Sequence, residues 1–411
     1  MTTTPAGTRD TARSRHAVAA LSGVHLVDDF YQGAVPALLP IFAVERGYTG
    51  AAAGGLMFAA TFLSSLIQPA FGVLGDRYRM RWLVGGGMLL AGLGVGACGL
   101  LAGYPATWAA IAATGLGVAA FHPEAARATR EAAGPSAQAM SWFSVGGNVG
   151  IAIAPVVVTP VIAVTGLTGT PLLALPAVLT AIALALPGVR RRTRRTPGAA
   201  ATARPTSAHD PRGADCEHRD DWRRFGWLMV VIIMRSIAFV GVATFLVLYL
   251  THRFGLSAEV AAPGLTVFTG IGAAGTLIGG WLADRYGKVR VVRAGYCLSV
   301  VGIGGLVAAP TAALAYPGIV AAGLGLYLPF AVHVTLGQDY LPRRLATASG
   351  LTTGLAISAG GLLAPALGVL ADARGQRVAL TVLIAAPLVA LLASLGLRTP
   401  SGREPHRFLS H

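Results

Sequence analysis

The stretch "GVLGDRY" at residues 72–78 returns as "GWLADRY" at 280–286, 208 positions later. Each copy closes a long apolar run and sets an aspartate and an arginine at its end. The triplet "GLG" at 115 returns at 323 with the same shift, and Ala154-Pro155 returns as Ala364-Pro365, 210 positions on. Three matches in one order at nearly one offset mark a duplicated unit.

Composition says what is duplicated. Hydrophobic residues make up 54% of the 411 and charged residues 12%, with a mean hydropathy of +0.64. A soluble domain carries about 25% charged residues, so the chain lacks the charge to solvate a globular surface. Apolar segments of about twenty residues recur along it, the length that crosses a bilayer as a helix. The 54 glycines and 24 prolines fit, because neighbouring helices satisfy the backbone groups they free.

The predicted fold is an all-α polytopic membrane protein with twelve helices in two pseudo-symmetric six-helix halves. Spans are expected at 16–43, 53–75, 82–103, 106–126, 138–164 and 171–188, then 224–251, 262–283, 291–310, 316–340, 346–371 and 378–397. The expected organisation is a cytoplasmic tail (1–15), a first half (16–188), a linker (189–223), a second half (224–397) and a second cytoplasmic tail (398–411). The linker is rich in Arg, Pro and Ala without apolar periodicity and reads as disordered.

The formal net charge of +15 would suggest nucleic acid in a soluble chain. Here the basic residues sit between apolar spans, which excludes that reading and instead reports orientation. With the N-terminus inside, the outer loops hold only Arg46, Arg253, Arg374 and Arg377. Arg235 lies within a helix, and the other basic residues fall on the inner side. Both termini are therefore expected in the cytoplasm of a cell whose inner (plasma) membrane carries the chain. The first fifteen residues are polar and do not read as a signal peptide. Cys98, Cys216 and Cys297 lack paired or metal-ligand spacing and read as reduced thiols. No cofactor or metal is expected. The expected partners are a small-molecule substrate, protons and lipid, with the chain a monomer.

The loop "GVLGDRYRMR" resembles the G-x-L-a-D-r-x-g-r-k/r signature of major facilitator transporters. Asp76, with Arg77, Arg79 and Arg81 behind it, can make a charge-assisted contact that holds in one conformation and breaks in another. Asp284, Arg285, Lys288 and Arg290 repeat the arrangement. The blander alternative is ordinary positive-inside anchoring. A finer resemblance, to the fosmidomycin resistance protein family, is carried by "HLVDDFYQ" (25–32), "SSLIQPAFGVLGDRY" (64–78), "FHPEAAR" (121–127), "FSVGGNVG" (143–150), "RFGLS" (253–257) and "GLTTGLAISAGGLLAPALGVLAD" (350–372). It implies two parallel six-helix halves and proton-coupled export of a small phosphonate antibiotic. The seventh helix is poorer in aromatics than that resemblance leads one to expect.

Four acids fall within the expected spans: Asp28, Asp29, Glu124 and Asp339. A central aspartate costs about 2.5–3.5 kcal/mol to insert, so each is a functional candidate. By helical geometry His25, Asp29, Gln32 and Pro36 share one stripe, while Asp28 stripes with Tyr31 and Val35. Asp29 is the first candidate for a proton carrier and Asp28 the second, with a hydrogen-bonded structural acid as the alternative. Glu124 and Arg127, three apart, can pair as a coupling or gating element or as a simple anchor. His122 can relay a proton or merely be hydrogen-bonded. Arg235 offers a planar fork to an anionic substrate; the resemblance also implies a basic residue near this position. The alternative is a counter-ion for Asp28 or Asp29.

"GGNVGIAIAP" sets Gly146 and Gly150 four apart before Pro155, and Gly360, Gly361 and Pro365 answer it. Small residues let helices approach closely, and the block resembles an antiporter signature. His25, Gln32 and Asn148 are further candidates for substrate contact, with His333, Gln338 and Asp339 weaker ones. The expected activity is proton-coupled antiport of a small anionic molecule, with import of a metabolite on the same fold as the alternative. An intramembrane hydrolase is disfavoured, since His122 and Glu124 point to nearly opposite helix faces. A receptor is disfavoured for want of a signalling domain.

Overall fold

The computed structural model describes residues 6–48, 50–186 and 219–399, and these are helical without a strand. Most of the expected linker, Cys216 included, and the last part of the C-terminal tail lie outside the described residues. Twelve helical stretches take the places of the twelve expected spans. They are α1 (Ala6–Arg46), α2 (Gly50–Tyr78), α3 (Trp82–Cys98), α4 (Tyr104–Ala133), α5 (Ala137–Thr165) and α6 (Leu167–Ala185), then α7 (Trp222–Phe254), α8 (Ala258–Tyr286), α9 (Lys288–Ala308), α10 (Ala312–Tyr340), α11 (Leu345–Arg374) and α12 (Gln376–Gly396).

Ten of these are long and apolar enough to cross a bilayer. The other two are α3, shorter at 17 residues, and α1, whose acids and His25 dilute its hydropathy. α1 starts at Ala6, ahead of the span expected from residue 16.

The chain divides into two compact units. The first holds residues 1–135, 142–220 and 342–350; the second holds 136–141, 221–341 and 351–411. The first turn of α5 thus belongs to the second unit and that of α11 to the first.

Within each unit glycines bring helix backbones into direct contact. A Cβ on Gly117 of α4 would collide with the backbone of Gly87 and Ala91 on α3. In the second unit Gly325 of α10 meets Gly295 and Ser299 of α9 in the same way, each residue 208 positions on. Gly115 against Ala60 and Gly323 against Phe268 repeat that shift. The repeat seen in sequence is therefore a repeat of backbone contacts. Lipid offers no hydrophobic drive for helices to associate, so such close approach is a main source of packing energy. Large apolar side chains such as Val156, Val164, Leu179, Leu362 and Val369 stay exposed, as a lipid-facing surface requires.

α6 is interrupted at Ala174, and Tyr31 of α1 repairs the break. Its hydroxyl donates to the carbonyl of Leu173 at 3.0 Å and accepts from the amide of Ala177 at 2.9 Å. Both groups are freed by the interruption, and a buried amide or carbonyl without a partner costs about 1–3 kcal/mol.

Candidate functional site

The first unit gathers four ionisable side chains in its interior. His25 and Asp29 lie one helical turn apart on α1, with His25 Nε2 3.2 Å from Asp29 Oδ2. α4 contributes His122, whose Nε2 lies 3.3 Å from Asp29 Oδ1 and 3.3 Å from His25 Nε2. Asp28 faces the other nitrogen of the same ring, with Oδ2 3.7 Å from His122 Nδ1, and neither of its oxygens is hydrogen-bonded. Both aspartates and His25 are buried. The two acids, which helical geometry assigns to separate stripes, converge on His122 from its two edges.

The surroundings fix these groups. His25 Nδ1 bonds the Phe143 carbonyl at 2.7 Å, and His122 Nδ1 bonds the Val118 carbonyl at 2.8 Å. The His25 ring stacks on Phe143 with centroids 4.1 Å apart. The three glycines of "GGNVG" let α5 close on α1: a Cβ on Gly146 would strike Ser22, and one on Gly150 would strike Leu26. A Cβ on Gly147 would collide with Asp29 Oδ2 and the His25 ring. Asn148 and Gln32 are half-buried on the flanks.

A second group runs along the last turns of α4. Arg127 holds Glu124 through two hydrogen bonds and also reaches Glu131 at 3.2 Å. Glu131 in turn pairs with Arg81, 3.2 Å away. Glu124 and Arg127 are buried, and Glu124 is turned away from His122, as the two-residue spacing requires.

Asp76 caps the start of α11. It accepts from the amides of Ala346 (2.9 Å) and Thr347 (2.7 Å) and from the Thr347 hydroxyl (2.7 Å). Asp284 does the same for α5, accepting from Ser136 Oγ, Ala137 N and Gln138 N at 2.7–3.0 Å. The repeated aspartate is thus a helix N-cap, where free amides and the helix dipole both favour an anion. The arginines beside them do other things. Arg77 lies over Tyr78, and Arg285 over Trp281 and Tyr286. Lys288 pairs with Asp339 at 2.5 Å, which accounts for that fourth acid.

In the second unit Arg235 is buried on α7, its Nη1 3.4 Å from the Leu326 carbonyl. Its guanidinium carbon lies 5.0 Å from the ring centre of Phe330 and 5.8 Å from that of Phe239. Tyr296, Tyr327 and His333 are ionisable neighbours of Arg235, and Tyr296 bonds His333 at 3.2 Å.

The two clusters occupy equivalent places. Gly150 meets Leu26 in the first unit as Gly360 meets Ser236 in the second, both residues 210 positions on. That register sets His25 against Arg235 and Asp29 against Phe239. The 208-residue register of α4 and α10 sets His122 against Phe330. One unit therefore holds His, Asp and His where the other holds Arg, Phe and Phe. The sequence does not single out Phe239 or Phe330, although the repeated Ala-Pro pair and Gly-Leu-Gly triplet carry the two registers that locate them. Gly147, Tyr296 and the Phe143 carbonyl carry no sequence signal of their own.

Buried ionisable groups inside apolar helices are expensive and belong to ion and substrate pathways. With duplicated units, they define a membrane transporter. The Major Facilitator Superfamily profile matches residues 21–365, and the chain belongs to that family. It is a multi-pass membrane transporter and not an enzyme. It is 28% identical to the fosmidomycin resistance protein of Escherichia coli K12 over 394 residues, covering 91% of this chain and 90% of that protein. It is 29% identical to the MFS-type transporter YfnC of Bacillus subtilis 168, covering 90% of each chain. Among solved structures it resembles the fucose:proton symporter FucP of E. coli, in its outward conformation, with a TM-score of 0.73 and 16% identity. That match covers 93% of this chain and 99% of FucP.

Proposed function

We propose that the chain is a proton-coupled antiporter that exports a small anionic molecule by alternating access. The observation that carries this reading is the exchange of His, Asp and His in one unit for Arg, Phe and Phe at the equivalent positions of the other. The first set can take up and release a proton between imidazole and carboxylate. The second cannot, because a guanidinium stays charged. It offers a permanent cation, framed by aromatic rings, to carboxylate or phosphonate oxygens.

In this reading Asp29 and His122 carry the proton, with His25 and Asp28 setting its energy. Arg235 holds the substrate's anionic end, with His333, Asn148 and Gln32 as further contacts. Asp76 and Asp284, with Arg77, Arg81, Arg127 and Arg285 around them, are the gate. Their caps hold α11 and α5 in one state and release them in the other. The named relative supports a phosphonate of the fosmidomycin type as cargo. The asymmetry of basic residues supports cytoplasmic termini in the plasma membrane, and the family supports a monomer.

Proteoliposomes with an imposed pH gradient test this. Asp29→Asn should abolish gradient-driven transport while leaving downhill exchange of substrate. Undiminished gradient-driven transport would refute the proton role. Arg235→Ala should weaken phosphonate transport by at least about tenfold, the equivalent of roughly 1.4 kcal/mol. Arg235→Lys should recover part of it, since the charge remains and the planar fork is lost.

A further inference from the structure

We infer that His25, His122 and Asp29 form a binding site for one divalent transition metal of the zinc class. Among the described residues they are a group whose potential ligand atoms all lie within 4.8 Å of one another. Three features of geometry argue for it.

The first is the tautomer of each imidazole. A carbonyl oxygen only accepts, so the bonds to Phe143 and Val118 place a hydrogen on Nδ1 of both rings. In neutral rings each Nε2 then presents a bare lone pair. The two Nε2 atoms face each other at 3.3 Å, where lone pairs repel unless a proton or a metal ion is shared at that place. Metal-ligating histidines commonly donate their other N–H to a carbonyl in this way, which fixes the ring.

The second is spacing. Zinc binds imidazole nitrogen at about 2.0–2.1 Å and carboxylate oxygen at about 2.0–2.2 Å, so the edges of its coordination tetrahedron are about 3.3 Å. The imidazole nitrogens lie 3.3 Å apart, one such edge, and the Asp29 carboxylate spans them, its Oδ2 3.2 Å from His25 and its Oδ1 3.3 Å from His122, with one ligand atom from each of the three within 4.8 Å of the others. Two imidazoles and one carboxylate leave a fourth position open. A nitrogen-rich set of this kind suits zinc, cobalt or nickel over magnesium or calcium.

The third is charge. Asp28 is fully buried with no hydrogen bond to either oxygen. Where Asp28 is ionised, a divalent ion would balance its charge together with that of Asp29. The equivalent Arg235, Phe239 and Phe330 offer no ligand, so the second unit has no counterpart of this site and one metal is expected from it. The metal and the proton of the preceding section are competing occupants of the same lone pairs.

Cobalt(II) titration of the full-length protein in nanodiscs tests this, because tetrahedral cobalt gives visible bands that octahedral cobalt does not. Zinc affinity is read by competition against a chromophoric chelator. The wild type should show the tetrahedral spectrum at one equivalent, and His25→Gln, His122→Gln and Asp29→Asn should each weaken zinc binding at least tenfold. Gly147→Ala, which keeps all three ligands but crowds Asp29 and His25, should weaken it too. A variant lacking His209, Cys216 and His218 should bind as the wild type does. An octahedral-only spectrum, equal affinity in the His25→Gln/His122→Gln double variant, or loss of binding in the linker variant would overturn the inference. The wild-type spectrum decides the matter even where a ligand variant does not fold. Equilibrium binding needs neither gradient nor cargo, so its failure is distinct from failure of the transport reading.

Discussion

Single side chains here differ in what their loss should cost. Glu124 and Arg127 are both buried, and Arg127 reaches Glu131 as well. Glu124→Gln leaves the guanidinium with a weaker neutral acceptor and should destabilise the protein by about 1–3 kcal/mol. The double variant Glu124→Gln/Arg127→Gln should recover part of that, because no charge is left behind. Thermal unfolding of the three variants in detergent measures the coupling. Asp28 makes the opposite case. As a buried carboxylate without hydrogen bonds, it is a group whose isosteric replacement by Asn should leave the unfolding temperature unchanged or raise it. A clear fall would show that its charge supports the fold through His122. Glu131 carries no special signal, whereas the sequence marks Glu124, Arg127 and Asp28 as exceptional because each is charged within an apolar run. It could not show that Asp28 and Asp29 meet at one imidazole, since His122 comes from a helix nearly a hundred residues away.

Helices are held at two kinds of place, close glycine contacts and capped ends. Gly117→Ala would drive a methyl into the backbone of α3 and should cost about 1–3 kcal/mol or prevent folding, as overpacking does. Gly361→Ala on α11 meets nothing within 4 Å and should be neutral, as unfolding of the two variants in parallel will show. Asp76→Ala removes three hydrogen bonds from the first turn of α11 and should cost about 0.5–2 kcal/mol. Hydrogen exchange at Ala346 and Thr347 should rise with it. The aspartates were legible as a repeated motif. Their role as caps was not, because the amides they bind belong to helices that start far along the chain.

For the whole molecule, the duplication was legible in a few short matches, and the helices followed from hydropathy. α1 is the informative exception. It falls outside the ten helices apolar enough to span for the same reason that it carries the site. The linker and tails, rich in charge and proline, were legible as separate from the helical units, and most of their residues lie outside the structure described. The basic residues predict topology: a cysteine placed in the linker at Ser207 should label from outside only after the membrane is permeabilised. One at Ala102, in the exposed loop between α3 and α4, should label in intact cells. Labelling in the reverse pattern would invert the assigned orientation.

One contact ties the chemistry to the scaffold. Tyr31 follows Asp28 by three residues on α1, and its hydroxyl splices the broken backbone of α6 at Leu173 and Ala177. α1 therefore cannot turn to present its acids differently without unfastening that splice. A turn of α1 that moves its acids should be felt at α6 as well. Tyr31→Phe should leave the acids in place yet raise hydrogen exchange at Ala177, uncoupling the messenger from the message.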